Sequence, residues 1–85
     1  MARQTFQTTR TIILLRTKQS RLITQLWTAM NAKDNERLDN LKGQYIENRT
    51  TMQETKIPQE DIMEYDSRFL NLPWRACGYK TPALA

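Results

Sequence analysis

The sequence has no histidine, and its 85 residues include only one cysteine, two glycines and three prolines. The missing histidine removes the commonest general base and the commonest metal ligand. A lone cysteine excludes an internal disulfide and a zinc site built from cysteine and histidine. No glycine-rich phosphate loop or metalloprotease motif is present. These absences favour a small binding protein over an enzyme, and we expect neither a cofactor nor a metal.

Long apolar runs are also missing. The longest run covers residues 12–15, far fewer than the roughly 20 residues that span a bilayer. Residues 1–57 contain no proline and a single glycine, which favours long helices over a turn-rich β fold. A chain of this size buries only about 60% of the surface that its unfolded form exposes. The sequence therefore predicts an all-α protein that forms a homodimer or docks on a larger assembly.

The first long helix is predicted over about residues 8–31. At 100° per residue, most of its apolar side chains fall within one arc of roughly 140°, and arginine and threonine occupy the opposite side. Ile13 and Leu14 lie outside this arc, on its two flanks, where a second copy or a partner can cover them. The predicted core residues of this helix are Ile12, Leu15, Leu22, Ile23, Leu26, Trp27 and Met30.

A second helix is predicted over about residues 35–55, with Asp34 or Asn35 as its N-cap. Its apolar seam has the three- and four-residue spacing of a packed helical pair. Together with the short turn before it, this pattern predicts an antiparallel helical hairpin. Gly43 lies inside the helix, where it either permits a close backbone approach or is a plain weakness. The apolar positions of the seam are Leu38, Leu41, Tyr45 and Met52, and Asn48 and Thr55 fill its polar gaps.

A short third helix is expected to open at Pro58 and to end before Pro73. Ile62, Tyr65 and Phe69 form its apolar stripe, and its carboxylates are expected to form a solvated face. Residues 73–85 are predicted to form an irregular tail with aromatic anchors. We therefore divide the chain into a helical hairpin domain with its third helix, residues 1–72, and an extended tail, residues 73–85.

The formal net charge of +4 is unevenly distributed. Residues 1–30 carry five cations and no acid, which favours an anionic partner. Arg10 and Arg21 fall within about 20° on the helical wheel and about 16 Å apart along the axis. Such a face can bind the phosphate oxygens of RNA or DNA, and binding of this kind does not depend on the base sequence. The predicted phosphate contacts are Arg10, Arg16, Lys18, Arg21, Lys42 and Arg49.

An adaptor, accessory or inhibitory subunit is the alternative prediction. Such a protein would dock on a larger protein through its apolar seam and its aromatic tail. The competing interpretation of the aromatic residues is that Trp74 and Tyr79, with Trp27, close the open end of the hairpin. The predicted partner-binding residues are Ile13, Leu14, Trp74, Arg75 and Tyr79.

The sequence favours a cytoplasmic location. The acid-free, Arg- and Thr-rich N-terminal stretch is also typical of an uncleaved mitochondrial targeting segment. A basic amphipathic helix at a membrane surface is a third, weaker interpretation of the same residues.

Overall fold

The computed structural model describes residues 2–84, with side chains described for residues 9–84. Its helices are α1 (Ala2–Asn31), α2 (Asn35–Glu54), α3 (Gln59–Leu70) and a 3-10 helix at Arg75–Cys77. The helices α1 and α2 pack closely against each other, and α3 contacts both. The molecule measures 49 × 21 × 15 Å, because α1 alone is about 45 Å long. The predicted all-α fold, a helical hairpin with a short third helix and a tail, is confirmed.

The turn between α1 and α2 is built from hydrogen bonds that satisfy the end of α1. Lys33 adopts a left-handed backbone conformation with φ 56°, and the Asp34 N–H donates to the Ala29 carbonyl over 3.0 Å. This is the Schellman arrangement of a helix C-terminus. The Asp34 side chain then accepts from the Arg37 N–H, so the predicted N-cap is confirmed.

A second turn of the same kind reverses the chain after α2. Lys56 has φ 64°, and the Ile57 N–H donates to the Met52 carbonyl over 3.2 Å. The Ile57 side chain packs with Met52 and Ile62 in a small apolar cluster. Pro58 is the N-cap of α3, and the helix itself begins at Gln59. The sequence predicted Pro58 as the first helical residue, so the helix begins one residue later than predicted. The turn directs α3 back along α2 towards the first turn.

The larger apolar cluster is centred on stacked aromatic rings. Tyr45 and Phe69 stack with ring centroids 4.0 Å apart, and Trp74 tilts against Phe69 at 5.0 Å. The Trp74 indole is 1% exposed and its N–H donates to the Phe69 carbonyl over 2.8 Å. The tail therefore contributes one of the largest side chains of the core, packed against residues from all of the long helices.

The tail covers the end of the bundle where α1 turns into α2. Cys77 Sγ lies 3.8 Å from the Met30 carbonyl oxygen, and the Tyr79 hydroxyl donates to the Asn35 carbonyl over 3.4 Å. The expectation that the aromatic residues close the open end is therefore wrong. Because α3 runs antiparallel to α2, it returns the chain to the first turn before the tail begins.

The burial of α1 follows the predicted arc, with Trp27 as the exception. Leu22, Ile23, Leu26 and Met30 are buried, whereas the Trp27 side chain is 54% exposed. Trp27 lies about 100° around the helix from Leu26, at the edge of the arc. The aromatic positions of the core are filled by Tyr45, Phe69 and Trp74 instead, so the prediction of Trp27 as a core residue is wrong.

Candidate nucleic-acid interface

The outer face of α1 carries cations that point into solvent. Arg10 and Arg21 are exposed on this face. Lys18 is also exposed, on the side of α1 next to α2, where it lines a groove together with Glu47. None of the three takes part in an ion pair among the residues with described side chains. No acidic residue occurs in α1. Because α1 is helical over this whole stretch, Arg10 and Arg21 keep their predicted alignment, about 16 Å apart along one face.

Arg16 stands on the side of α1 that faces α3. Its guanidinium lies 3.8 Å from the Asp61 carboxylate, with 45% of the Arg16 side chain exposed. Hydrogen bonding to the Tyr65 hydroxyl raises the pKa of Arg16 above its usual value. An exposed ion pair of this length contributes at most about 1 kcal/mol. A phosphate can therefore compete with Asp61 for Arg16.

A shallow groove between α1 and α3 is lined by side chains that can donate hydrogen bonds. None of the residues that line this groove is acidic. The Thr24 hydroxyl already donates to the Ser20 carbonyl over 3.4 Å, as Thr28 does to the Thr24 carbonyl. Thr17 and Ser20 keep hydroxyl protons that can point outward. We call this feature the α1/α3 groove; its lining consists of Arg16, Thr17, Ser20, Arg21, Thr24 and Tyr65.

Lys42 does not join the basic face of α1. Its side chain is half-buried, and its ammonium lies 5.7 Å from the centroid of the Tyr79 ring. On α2, Lys42 is about 120° around the helix from Asn48, whose side chain bonds to α1. The phosphate contact predicted for Lys42, on the flank that α2 adds to the basic face, stays a prediction; in the structure this side chain lies towards the tail.

Arg49 is not available to a phosphate. The side chain is buried, with its Nε atom 2.8 and 3.0 Å from the two oxygens of the Asp66 carboxylate. The Tyr45 hydroxyl donates to the same carboxylate over 2.8 Å. A charge inside a protein requires a partner of opposite sign and further hydrogen bonds. Both the exposed Arg49 and the solvated Asp66 expected from the sequence are therefore wrong.

The Arg49–Asp66 pair belongs to a polar layer that crosses the bundle. Asn48 Nδ2 donates to the Leu15 carbonyl over 3.1 Å and to the Gln19 Oε1 atom over 2.9 Å. Gln19 is fully buried, and its Nε2 atom has no hydrogen-bond partner among the described residues. Along α2, Asn48 and Arg49 of the layer lie between Tyr45 of the larger apolar cluster and Met52 of the smaller one, and Tyr65 packs against both clusters. It serves the internal pairing of the helices and involves none of the exposed cations of α1.

The spacing within a single helix does not reveal this layer. The periodicity of α2 places Asn48 in the seam and predicts Arg49 on the solvent side. The available signal was the spacing of Tyr45 and Arg49, which are four residues apart and share a face. That face meets Asp66 only when α3 packs against it. Burial there, and then the Asp66 carboxylate, raise the pKa of the Tyr45 hydroxyl.

The predicted partner-binding residues separate into two groups. Ile13 is 58% and Leu14 is 61% exposed, and Arg75 is exposed as well. Trp74 is buried, so its prediction as an anchor for a partner is wrong. Tyr79 is half-buried and packs edge-on against the Trp74 ring, with centroids 6.4 Å apart. The tail rings are therefore engaged within the chain.

Among the described side chains, no group of three or more Cys, Asp or Glu residues could hold a metal ion. Within residues 2–84, no helix has both the length and the apolar character that a membrane span requires. Comparison with protein-family models, with curated proteins and with solved structures finds no match.

Proposed function

We propose that this chain is a non-enzymatic nucleic-acid-binding protein that holds backbone phosphates with the exposed cations of α1. The observation that carries the proposal is the state of Arg10, Lys18 and Arg21. They are exposed on a helix without acidic residues and take part in no ion pair among the described side chains. Cations of this kind bind phosphate oxygens without reading the bases.

The α1/α3 groove supplies a more specific phosphate contact within this face. Arg16 and Arg21 both line the groove, and the Thr17 and Ser20 hydroxyls provide neutral donors beside them. Arg10 lies nearer the N-terminus of α1, about 9 Å along the axis from Arg16 and about 16 Å from Arg21. One phosphate in the groove and others along α1 would neutralise these charges, and the displaced counterions would drive binding.

The test is the salt dependence of binding to single-stranded and duplex oligonucleotides, compared between wild type and Arg10→Ala/Arg21→Ala. We expect the double variant to lose at least about tenfold in affinity for every sequence. We also expect the slope of log K against log salt to fall by about 2, one for each lost phosphate contact. Fluorescence anisotropy of labelled oligonucleotides measures both quantities.

The matched control is Arg37→Ala/Arg75→Ala. It removes the same charge from two exposed arginines outside α1. We expect its affinity to stay close to that of wild type, because long-range charge alone is screened at physiological salt. Equal losses in the two double variants, or full affinity in Arg10→Ala/Arg21→Ala, would refute the assignment to α1.

A further inference from the structure

Trp27 is a large aromatic side chain that the fold leaves unused. It is 54% exposed, and within the described part of the chain it has no ring contact and no hydrogen bond. The other tryptophan, Trp74, is 1% exposed and makes both kinds of contact. Exposed aromatic side chains of this size concentrate at binding surfaces. The position of Trp27 on α1, relative to the α1/α3 groove, indicates which class of ligand its side chain contacts.

Trp27 stands beside the α1/α3 groove. It follows Ser20 by seven residues, which places it within about 20° of Ser20 on the helix and about 10 Å further along the axis. Ser20 lines the groove together with Arg16 and Arg21. A phosphate held by the two arginines therefore has an open indole within reach of the attached nucleotides.

We infer that Trp27 stacks on a nucleobase and that the ligand of the α1/α3 groove is single-stranded nucleic acid. The inference rests on the phosphate-binding function proposed above and adds the class of its ligand. Proteins that bind single strands combine a cationic track for the backbone with aromatic side chains on which bases stack. In a duplex the base faces are already stacked on one another, so the indole has no free base to contact.

The experiment uses the intrinsic fluorescence of the full chain. Trp27 is exposed and Trp74 is buried, so stacking on a base quenches only the Trp27 component. We expect an oligothymidylate of about 15 nucleotides to quench this component, and a duplex of about the same length to leave it unchanged. Quenching by the duplex to the same extent would overturn the inference.

Substitution of Trp27 provides the second measurement. We expect Trp27→Ala to lower the affinity for the single strand by about 5- to 150-fold, the range for one stacked base. Its duplex affinity and the slope of its salt dependence should be unchanged. Trp27→Phe keeps an aromatic face and should recover part of the loss. Met63→Ala removes an equally exposed apolar side chain from α3 and should match wild type.

The outcomes separate the two proposals. If Arg10→Ala/Arg21→Ala loses affinity but Trp27→Ala binds the single strand as tightly as wild type, the stacking inference is wrong and the phosphate-binding function stands. If neither oligonucleotide binds the wild-type chain at low salt, both proposals are wrong. Far-ultraviolet circular dichroism of each variant verifies that a loss of affinity does not come from unfolding.

Discussion

The Arg49–Asp66 pair places two charges inside a bundle with a small apolar core. The Asp66 carboxylate accepts from both Arg49 and the Tyr45 hydroxyl, so its oxygens are well satisfied. Removing two charges from water is costly, and such a pair is therefore weak evidence for stability in itself. Breaking the pair is a different matter, because it leaves one buried charge without a partner.

We expect Asp66→Asn to lower the free energy of unfolding by about 3–5 kcal/mol, because the Arg49 guanidinium stays buried and loses its carboxylate. Urea denaturation followed by circular dichroism measures the change. Glu64→Gln removes an exposed carboxylate from the same helix and should stay within about 0.5 kcal/mol of wild type. The prediction fails if the two variants are equally stable.

The glycines show how the helix elements tolerate substitution. Gly43 lies inside α2, and a Cβ atom there would meet nothing within 4 Å. The structure thus resolves the two interpretations of Gly43 in favour of a plain weakness of the helix. Gly78 ends the 3-10 helix in a left-handed conformation with φ 84°, which disfavours any residue with a Cβ atom.

Gly43→Ala should stabilise the protein by about 1 kcal/mol, since alanine loses less backbone entropy on entering a helix and meets no neighbour. The paired control is Gly78→Ala, which adds the same methyl group in open space. It should destabilise by about 1 kcal/mol because of its positive φ. Thermal or urea unfolding of the two variants decides the matter, and stabilisation by both would contradict the argument.

At the scale of the whole molecule, the three helices and the tail bury one another but leave part of α1 uncovered. Trp74 and Tyr79 complete the bundle from within the chain, so the aromatic tail is not a free docking arm. Ile13 and Leu14 remain more than half exposed. A chain of 85 residues has little core to spare, and covering such a pair against a second copy would add apolar burial.

We expect the wild-type chain to form a dimer at high concentration, with a mass by light scattering of twice the 10.1 kDa chain. The variant Ile13→Ser/Leu14→Ser should shift this equilibrium towards monomer, because it removes the exposed apolar surface without changing the charge. Met63→Ser/Leu70→Ser removes exposed apolar side chains from α3 and should dimerise as wild type does. A wild-type chain that remains monomeric at every concentration would exclude self-association.

Periodicity in the sequence predicted the elements well but not every side chain. The ranges of α2 and α3, the Asp34 cap and most of the buried positions follow from local spacing. The start of α1 lies six residues before the predicted position, at Ala2, since neither glycine nor proline interrupts the helix there. For the candidate interface, the sequence could place four of the five cations of α1 on the helix, namely Arg10, Arg16, Lys18 and Arg21. It could not place the surroundings of Lys42 and Arg49.

The sequence by itself determined the helices and the acid-free face of α1, because both depend on spacing along a single helix. The tertiary structure decided which charges reach solvent and which rings are buried. Arg49 is withdrawn into the core by Asp66 of α3. Of the two tryptophans, Trp74 is 1% exposed and Trp27 is 54% exposed. Such outcomes depend on contacts between residues far apart in the chain. The spacing of residues within one helix does not show which side chains of another helix will pack against it.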